Sequence, residues 1–366
     1  MTEAQAKRLT GIADAFAIEG VAERVDALGN GLINDTYVVE TNAGKKYVLQ
    51  RVNHNIFKDV DALQRNIVTV TEHLRKKLVE RGVEDMDRRV VRMIPLKENA
   101  GKTWTKDAGD YWRMMSYVER SRTLEEVTPA TAEAAGRAFG KFEADLSDLE
   151  TPLAETIPDF HNMEWRLEQL REAVAADPLG RVKEVKDILD KIEARAEKMT
   201  AGERMVREGK LKKRVCHCDT KVNNMLFDAD SDEVLCVIDL DTVMESTIFS
   251  DYGDFLRTGA CTAAEDEPDT EKVAVDMEIF RAFTRGYLEG TRDFLTETER
   301  RMLPFAAALF PYMQAVRFLA DYINGDTYFK TKYADHNLVR TRAQMKMLES
   351  VEALEKEMER ELGVRI

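Results

Sequence analysis

The chain has 366 residues, 44% of them hydrophobic and 33% charged, with a formal net charge of −14. That length suits two domains or one domain with two lobes, and the excess acid argues against a nucleic-acid backbone as partner, because phosphate binding needs a basic surface. With no basic-then-apolar start after Met1 and no apolar run approaching the ~20 residues of a membrane span, a cytoplasmic protein without a membrane or obligate protein partner is expected.

Residues 1–118 read as a small β-rich lobe. Val25 to Leu28 is a short strand, broken by Gly29-Asn30-Gly31. Thr36 to Thr41 and Lys46 to Val52 flank the turn Asn42-Ala43-Gly44 and form a hairpin. A helix follows from Lys58 to Glu80, where Val60, Leu63, Ile67, Val70, Leu74 and Leu78 recur at three- and four-residue steps as one apolar stripe. Arg89 to Ile94 and Tyr111 to Val118 read as two further strands. Strand pattern then yields to Ser/Arg/Thr near Tyr117-Val118-Glu119-Arg120, which marks the lobe boundary.

Residues 119–366 are mostly helical. The pattern predicts helices over Ala130 to Leu146, Val182 to Met199, Met277 to Leu288 and Ala306 to Ile323, the last apolar enough to be central. A final helix aligns Leu348, Val351, Leu354, Met358 and Leu362. That stripe is too short for sustained heptads and is expected to dock on the body. The acidic run Glu265-Asp266-Glu267-Pro268-Asp269 reads as a solvated loop. The fold class is therefore α+β, a two-lobed protein-kinase-like arrangement: a small β-rich N-lobe with one main helix, and a larger, mostly helical C-lobe.

The densest chemistry lies at His217-Cys218-Asp219-Thr220-Lys221-Val222-Asn223-Asn224. After Met225-Leu226-Phe227 and an Asp/Ser-rich turn, the apolar run Val234 to Ile238 delivers Asp239-Leu240-Asp241. Phosphoryl transfer from ATP needs one carboxylate to orient and deprotonate the attacking hydroxyl, plus an amide and a carboxylate to hold Mg²⁺ on the phosphates. Asp219 fits the base, and Asn224 and Asp239 the metal ligands, with Asp241 a further candidate ligand. Lys221 is placed to reach the transferred phosphate. The bland alternative is a solvated Asn/Asp turn between two strands. Cys216-His217-Cys218 looks like a zinc half-site, but neighbouring strand residues point to opposite faces, so the trio is not expected to converge on one ion. The four cysteines, Cys216, Cys218, Cys236 and Cys261, are too few for a disulfide framework.

Upstream, Gly29-Asn30-Gly31-Leu32-Ile33-Asn34 sits between two strands. Glycines such as Gly29 and Gly31 let a backbone approach phosphates closely, and Asn34 either adds a donor or closes the turn. A plain β-turn is the alternative. The strand that should carry a phosphate-binding lysine reads Tyr47-Val48-Leu49-Gln50-Arg51. Alternation leaves Gln50 at the lysine position, and Arg51 serves only if a bulge re-aims it. The partner glutamate is also missing, since Gln64, Arg65 and Asn66 occupy its region. A Gln–Asn pairing is expected in place of the ion pair. In such an arrangement the backbone of Tyr117, Val118 and Glu119 would pair with adenine.

With these residues placed, the chain resembles the aminoglycoside phosphotransferase/choline kinase superfamily, and within it the bacterial N-acetylhexosamine 1-kinases. The pieces that carry the resemblance are Gly31 to Tyr37, Tyr47 to Asn53, His217 to Asn224, Ile238 to Thr242, Arg317 to Tyr322, and Lys332-Tyr333 with His336 to Arg342. The resemblance implies ATP- and Mg²⁺-dependent phosphorylation of the anomeric hydroxyl of GlcNAc or GalNAc. It carries the base role onto Asp219 and metal binding onto Asn224 and Asp239, and it suggests sugar contacts from Arg317 and Tyr328. It also makes Gln50 a feature of the group. Relatives often have histidine where this chain has Leu32, so substrate preference is open at that position. Read alone, Arg317 is equally a buried structural ion pair or a snorkelling side chain. Asp251 and Asp254 are candidates to brace the catalytic loop. Two rival readings stand: another small-molecule kinase acting on an amino alcohol, aminoglycoside or different sugar, and a silent nucleotide-binding module, which the missing Lys–Glu pair motivates.

Overall fold

The structure is a computed structural model that describes residues 1–29 and 33–363. The predicted loop positions Gly31 and Leu32 lie outside the described residues. The chain divides into two compact units. The first comprises Met1–Arg122, Asp148–Pro158 and Met225–Val243; the second comprises Thr123–Ser147, Asp159–Asn224 and Met244–Ile366.

The first unit is built on an antiparallel sheet of β1 (Ala22–Ala27), β2 (Asp35–Thr41), β3 (Lys46–Val52), β4 (Trp104–Asp107) and β5 (Asp110–Ser116), in the order β1-β2-β3-β5-β4. On β3, Tyr47 and Leu49 point into the core while Val48 and Gln50 share the other face. The core also takes Val25, Val39, Ile94, Trp112 and Met114. Its lid is a helix over Glu3–Ala13 that sequence reading missed. Thr2 and Gln5 close a capping box at its start, and Leu9 and Ile12 bury its inner face. The helix Val60–Glu80 appears as expected, with the Asp59 carboxylate accepting from the Ala62 N–H at 2.8 Å.

Two strand expectations in this unit are corrected. Arg89 to Ile94 is not a strand. Met86–Arg89 forms a helical turn, and the following residues make only isolated contacts with β5. Pro95 has no N–H and ends any ladder there. The unforeseen β4 pairs with β5 through Ala108-Gly109, both at positive φ (49° and 92°). That is the backbone of a two-residue hairpin turn, hidden because alanine rarely adopts it. The hairpin of Met225–Asp228 and Val234–Val237 forms as read, with Ser121–Arg122 pairing on its outer side.

The second unit is helical, with a short ladder of Arg214–Cys216 against Met244–Ser246. Helices Pro129–Leu146 and Met277–Gly290 cross at glycines. An added Cβ would lie 2.2 Å from the Phe283 carbonyl at Gly136, and 2.0 Å from that of Glu133 at Gly286. The backbones therefore touch where only hydrogen fits. Leu303–Ile323 is the central helix, and the last helix, His336–Glu361, docks along it through Leu348, Val351 and Met358. By length and composition Leu303–Ile323 is the one helix among the described residues apolar enough to cross a membrane, contrary to the sequence expectation; most of it is buried in protein. The predicted Val182 to Met199 helix breaks into Val182–Glu184, Lys186–Glu193 and Ala196–Met199. Val185, Ile188, Ile192, Ala196 and Met199 keep helical spacing across the breaks, so the stripe reads as continuous.

Candidate active site

In the second unit, the strand Arg214–Cys216 leads into the loop 217–221 that carries Asp219. The loop is held from below by the helix Phe249–Gly259, which sequence reading did not identify as a helix. Asp251, with no exposed surface, accepts the backbone N–H of His217 at 2.7 Å and of Cys218 at 2.8 Å. Asp254 accepts from Thr220 N–H at 3.0 Å, and the Thr220 hydroxyl donates to the Asp251 carbonyl at 2.7 Å. Cys218 sits at φ 64°, a left-handed conformation uncommon for a residue with a side chain. His217 is fully buried against the edges of Phe139 and Phe142.

This scaffold presents Asp219. Its carboxylate meets the Lys221 ammonium at 2.9 Å and accepts from the Asn224 amide at 3.0 Å, and the same amide bonds the Asp219 carbonyl at 2.8 Å. Burial pushes the Asp219 pKa up, but Lys221 outweighs it, so the group is held below the usual carboxylate range. Lys221 is raised in turn, chiefly by Asp219. Asp219, Lys221 and Asn224 thus lie together. Arg257, which the sequence did not single out, is clamped between Asp254 and Glu265, 3.0 and 2.5 Å away. Asp266 pairs with Lys332 at 3.1 Å and His336 at 3.0 Å. The start of the acidic run is therefore an ion-pair hub and not the solvated loop expected.

Arg317 lies on the central helix in a box of aromatic rings, with its guanidinium carbon 5.1 Å from the Phe160 centroid, 5.4 Å from Phe329 and 6.0 Å from Tyr328. Its Nη1 donates to Gln314 Oε1 at 3.0 Å, and it makes no ion pair among the described residues. Burial lowers its pKa. Nearby Arg166 is lowered to about 10, by burial and then by Arg317. The loop bearing Tyr328 is tied down by Asp321, which accepts the N–H groups of Thr327, Tyr328 and Phe329 at 2.9, 2.8 and 3.0 Å. Tyr328 itself is 54% exposed.

In the first unit, Gln50 faces Arg113 across the β3–β5 ladder. Gln50 Oε1 accepts from Arg113 Nε at 2.9 Å and Nη2 at 2.8 Å, and Gln50 Nε2 donates to Thr36 at 3.0 Å. Arg113, 1% exposed, pairs with Asp241. The other Asp241 oxygen accepts from Asn34 Nδ2 at 2.6 Å, while Asn34 Oδ1 accepts from Asn53 N–H at 2.9 Å. Four corrections follow. A basic group is present, supplied by β5 and not β3. Gln50 pairs with Arg113 and not with Asn66, whose amide instead bonds Ala154 and the Val243 carbonyl. Arg51 stays paired with Asp35 on the neighbouring strand, with no bulge to re-aim it. The oxygens of Asp241 are bound by Arg113 and Asn34, which suits a bracing carboxylate better than a metal ligand.

Asp239, two residues before Asp241, adopts φ 60°, ψ 56° where the strand turns into Leu240–Thr242. Gly29 has φ 68° with nothing near its Cβ position. Beyond β5, the Val118 carbonyl accepts from Ser121 Oγ at 2.8 Å and the Glu119 carbonyl from Arg88 at 3.2 Å. Tyr117 lies under Lys46, 5.7 Å from its ring centroid.

Comparison with solved structures finds the same fold over nearly the whole chain. An aminoglycoside phosphotransferase from Alicyclobacillus acidocaldarius matches with a TM-score of 0.65 at 13% identity, covering 96% of each chain. Spectinomycin phosphotransferase APH(9)-Ia, in complex with ADP and spectinomycin, matches at 0.59 and 12% identity over 97% of this chain and 100% of its own. Amicoumacin kinase hAmiN, in complex with AMP-PNP, Ca²⁺ and Ami, matches at 0.59 and 14% identity over 94% of this chain and 93% of its own. The profile of the phosphotransferase enzyme family (APH) matches residues 24–290, most of the chain, and the chain belongs to that family.

Proposed function

We propose that this small-molecule kinase uses ATP and Mg²⁺ to phosphorylate the anomeric hydroxyl of an N-acetylhexosamine, GlcNAc or GalNAc. The observation that carries the phosphotransfer reading is the buttressed loop on which Asp219 is kept ionised by Lys221 and Asn224. Asp219 would accept the hydroxyl proton as the oxygen attacks, a contribution typically worth ~10²–10⁴-fold. Lys221 stands beside it to meet the transferred phosphate.

The donor set suits a hard divalent cation. The Asn224 side-chain oxygen accepts no hydrogen bond among the described residues, and Asp239 offers a carboxylate; Mg²⁺ takes such oxygens. When bound, the ion supplies charge neutralisation on the phosphates. Asp241, held by Arg113 and Asn34, would fix the turn that carries Asp239. Gly29 supplies backbone freedom near the phosphates, and residues Tyr117 to Glu119 the adenine contact. Arg317 and Tyr328 are assigned to the sugar, because a buried guanidinium with no ion pair among the described residues, ringed by aromatic faces, suits a hydroxylated ring.

A panel of free sugars, amino alcohols and aminoglycosides in an ATP-consumption assay with Mg²⁺ tests this reading. N-acetylhexosamines are expected to give the highest turnover. Preference for an amine or aminoglycoside would replace the substrate assignment, and binding of Mg·ATP with no turnover on any hydroxyl would refute the enzyme.

A further inference from the structure

Behind the catalytic loop, the second unit buries a second carboxylate for which phosphotransfer has no direct use. Glu143, on the helix Pro129–Leu146, is 1% exposed. Its Oε2 accepts from the Tyr287 hydroxyl at 2.6 Å, while Oε1 is buried with no hydrogen-bond donor. One Glu143 oxygen, one Asp251 oxygen and Cys216 Sγ all lie within 4.8 Å of one another.

Two carboxylates this close in a dry interior do not both ionise. Asp251 is the one stabilised as an anion, because it accepts the two backbone N–H bonds from His217 and Cys218. The unsatisfied Glu143 oxygen is explained if it carries the proton and Asp251 receives it. The basic groups facing the pair are His217, beside Asp251, and Arg214, beside Glu143, and burial outweighs both. Arg214 is occupied by Glu299 at 2.6 Å and by the Phe294 carbonyl at 3.0 Å. The Cys216 thiol, pushed up by burial, donates to the Thr247 carbonyl at 3.3 Å and stays protonated. Burial likewise raises Glu143 well above the usual carboxyl range.

We infer that Glu143 is a positioning residue for phosphoryl transfer: as a neutral acid braced by Tyr287, it donates a hydrogen bond to Asp251, the carboxylate that fastens the backbone of His217 and Cys218. Its reach to the chemistry is short, because Cys218 is held at positive φ and Asp219 is the next residue. Loosening Asp251 lets that turn relax and moves the base. The catalytic part of this inference rests on the kinase reading above; the location of the proton does not.

The test is an infrared difference spectrum of the full chain at pH 7, wild type minus Glu143→Gln. A protonated-carboxyl band belonging to Glu143 is expected, and it is read without any acceptor. Its absence would overturn the inference whatever the substrate proves to be. Kinetics supply the second arm. Glu143→Gln keeps a donor and should retain kcat within about threefold. Glu143→Leu loses it and should lower kcat by about tenfold or more, with KM for ATP little changed. A Leu variant with wild-type kcat, a Gln variant that fails to fold, or one equivalent of zinc that elemental analysis finds in the wild type and not in Glu143→Leu would each contradict it.

Discussion

Asp219 is held as an anion at its post, and that fixes the sign of its pH dependence. Its folded pKa lies below the ordinary carboxylate value of 3.8, so the ionised carboxylate persists through neutral pH and is lost only as pH falls through that depressed value. The kcat profile should therefore show no Asp219 limb above about pH 4; a limb near pH 6 that disappears in Asp219→Asn would contradict this. Asp219→Asn should lower kcat by more than ~10²-fold while calorimetry still detects ATP binding. The grouping of Asp219, Lys221 and Asn224 was legible because their spacing is local in the chain. Arg113 was not. Nothing in Tyr111-Trp112-Arg113-Met114 marks a buried arginine, and its role depends on β5 lying beside β3, a pairing between strands far apart in sequence. Removing one partner of a buried ion pair costs about 3–5 kcal/mol. Arg113→Met should accordingly lower the urea midpoint far more than Arg51→Met, whose guanidinium is solvent-exposed beside Asp35.

Elements were legible where one periodicity held and where turn residues took their usual roles. The β2–β3 hairpin and the Val60–Glu80 helix follow from alternation and from a three-four stripe. β4 was hidden by an alanine in a left-handed turn, and Arg89 to Ile94 misled because apolar residues before a proline mimic a strand. The crossing of Pro129–Leu146 with Met277–Gly290 was illegible as well, since Gly136-x-x-x-Gly140 and Gly286-x-x-x-Gly290 acquire meaning only once they face each other. Gly286→Ala forces backbones apart and should destabilise by at least ~1–3 kcal/mol. Gly11→Ala, in a helix with open space around it, should stabilise by about 0.5–1 kcal/mol. Urea unfolding of the two variants reads the contrast; equal effects would refute the close crossing.

At the scale of the whole molecule, the order of strands and helices was enough for the fold class, which the family profile and the aminoglycoside phosphotransferase likeness bear out. The sequence did not show that the first unit draws on Asp148–Pro158 and Met225–Val243 as well as the N-terminal stretch. A fragment ending at Arg122 would lack Asp228 and Asp241, the partners of Arg88 and Arg113. It should show no cooperative urea transition, and a sharp one would contradict the discontinuous unit. The function itself is tested most directly by locating the phosphate on the product. The enzyme is incubated with ATP, Mg²⁺ and GlcNAc or GalNAc, and the product is examined by ³¹P–¹H correlation. Coupling of the new phosphorus to the anomeric proton, absent with Asp219→Asn, is the predicted result; coupling to any other sugar proton, or no phosphorylated sugar at all, would contradict it.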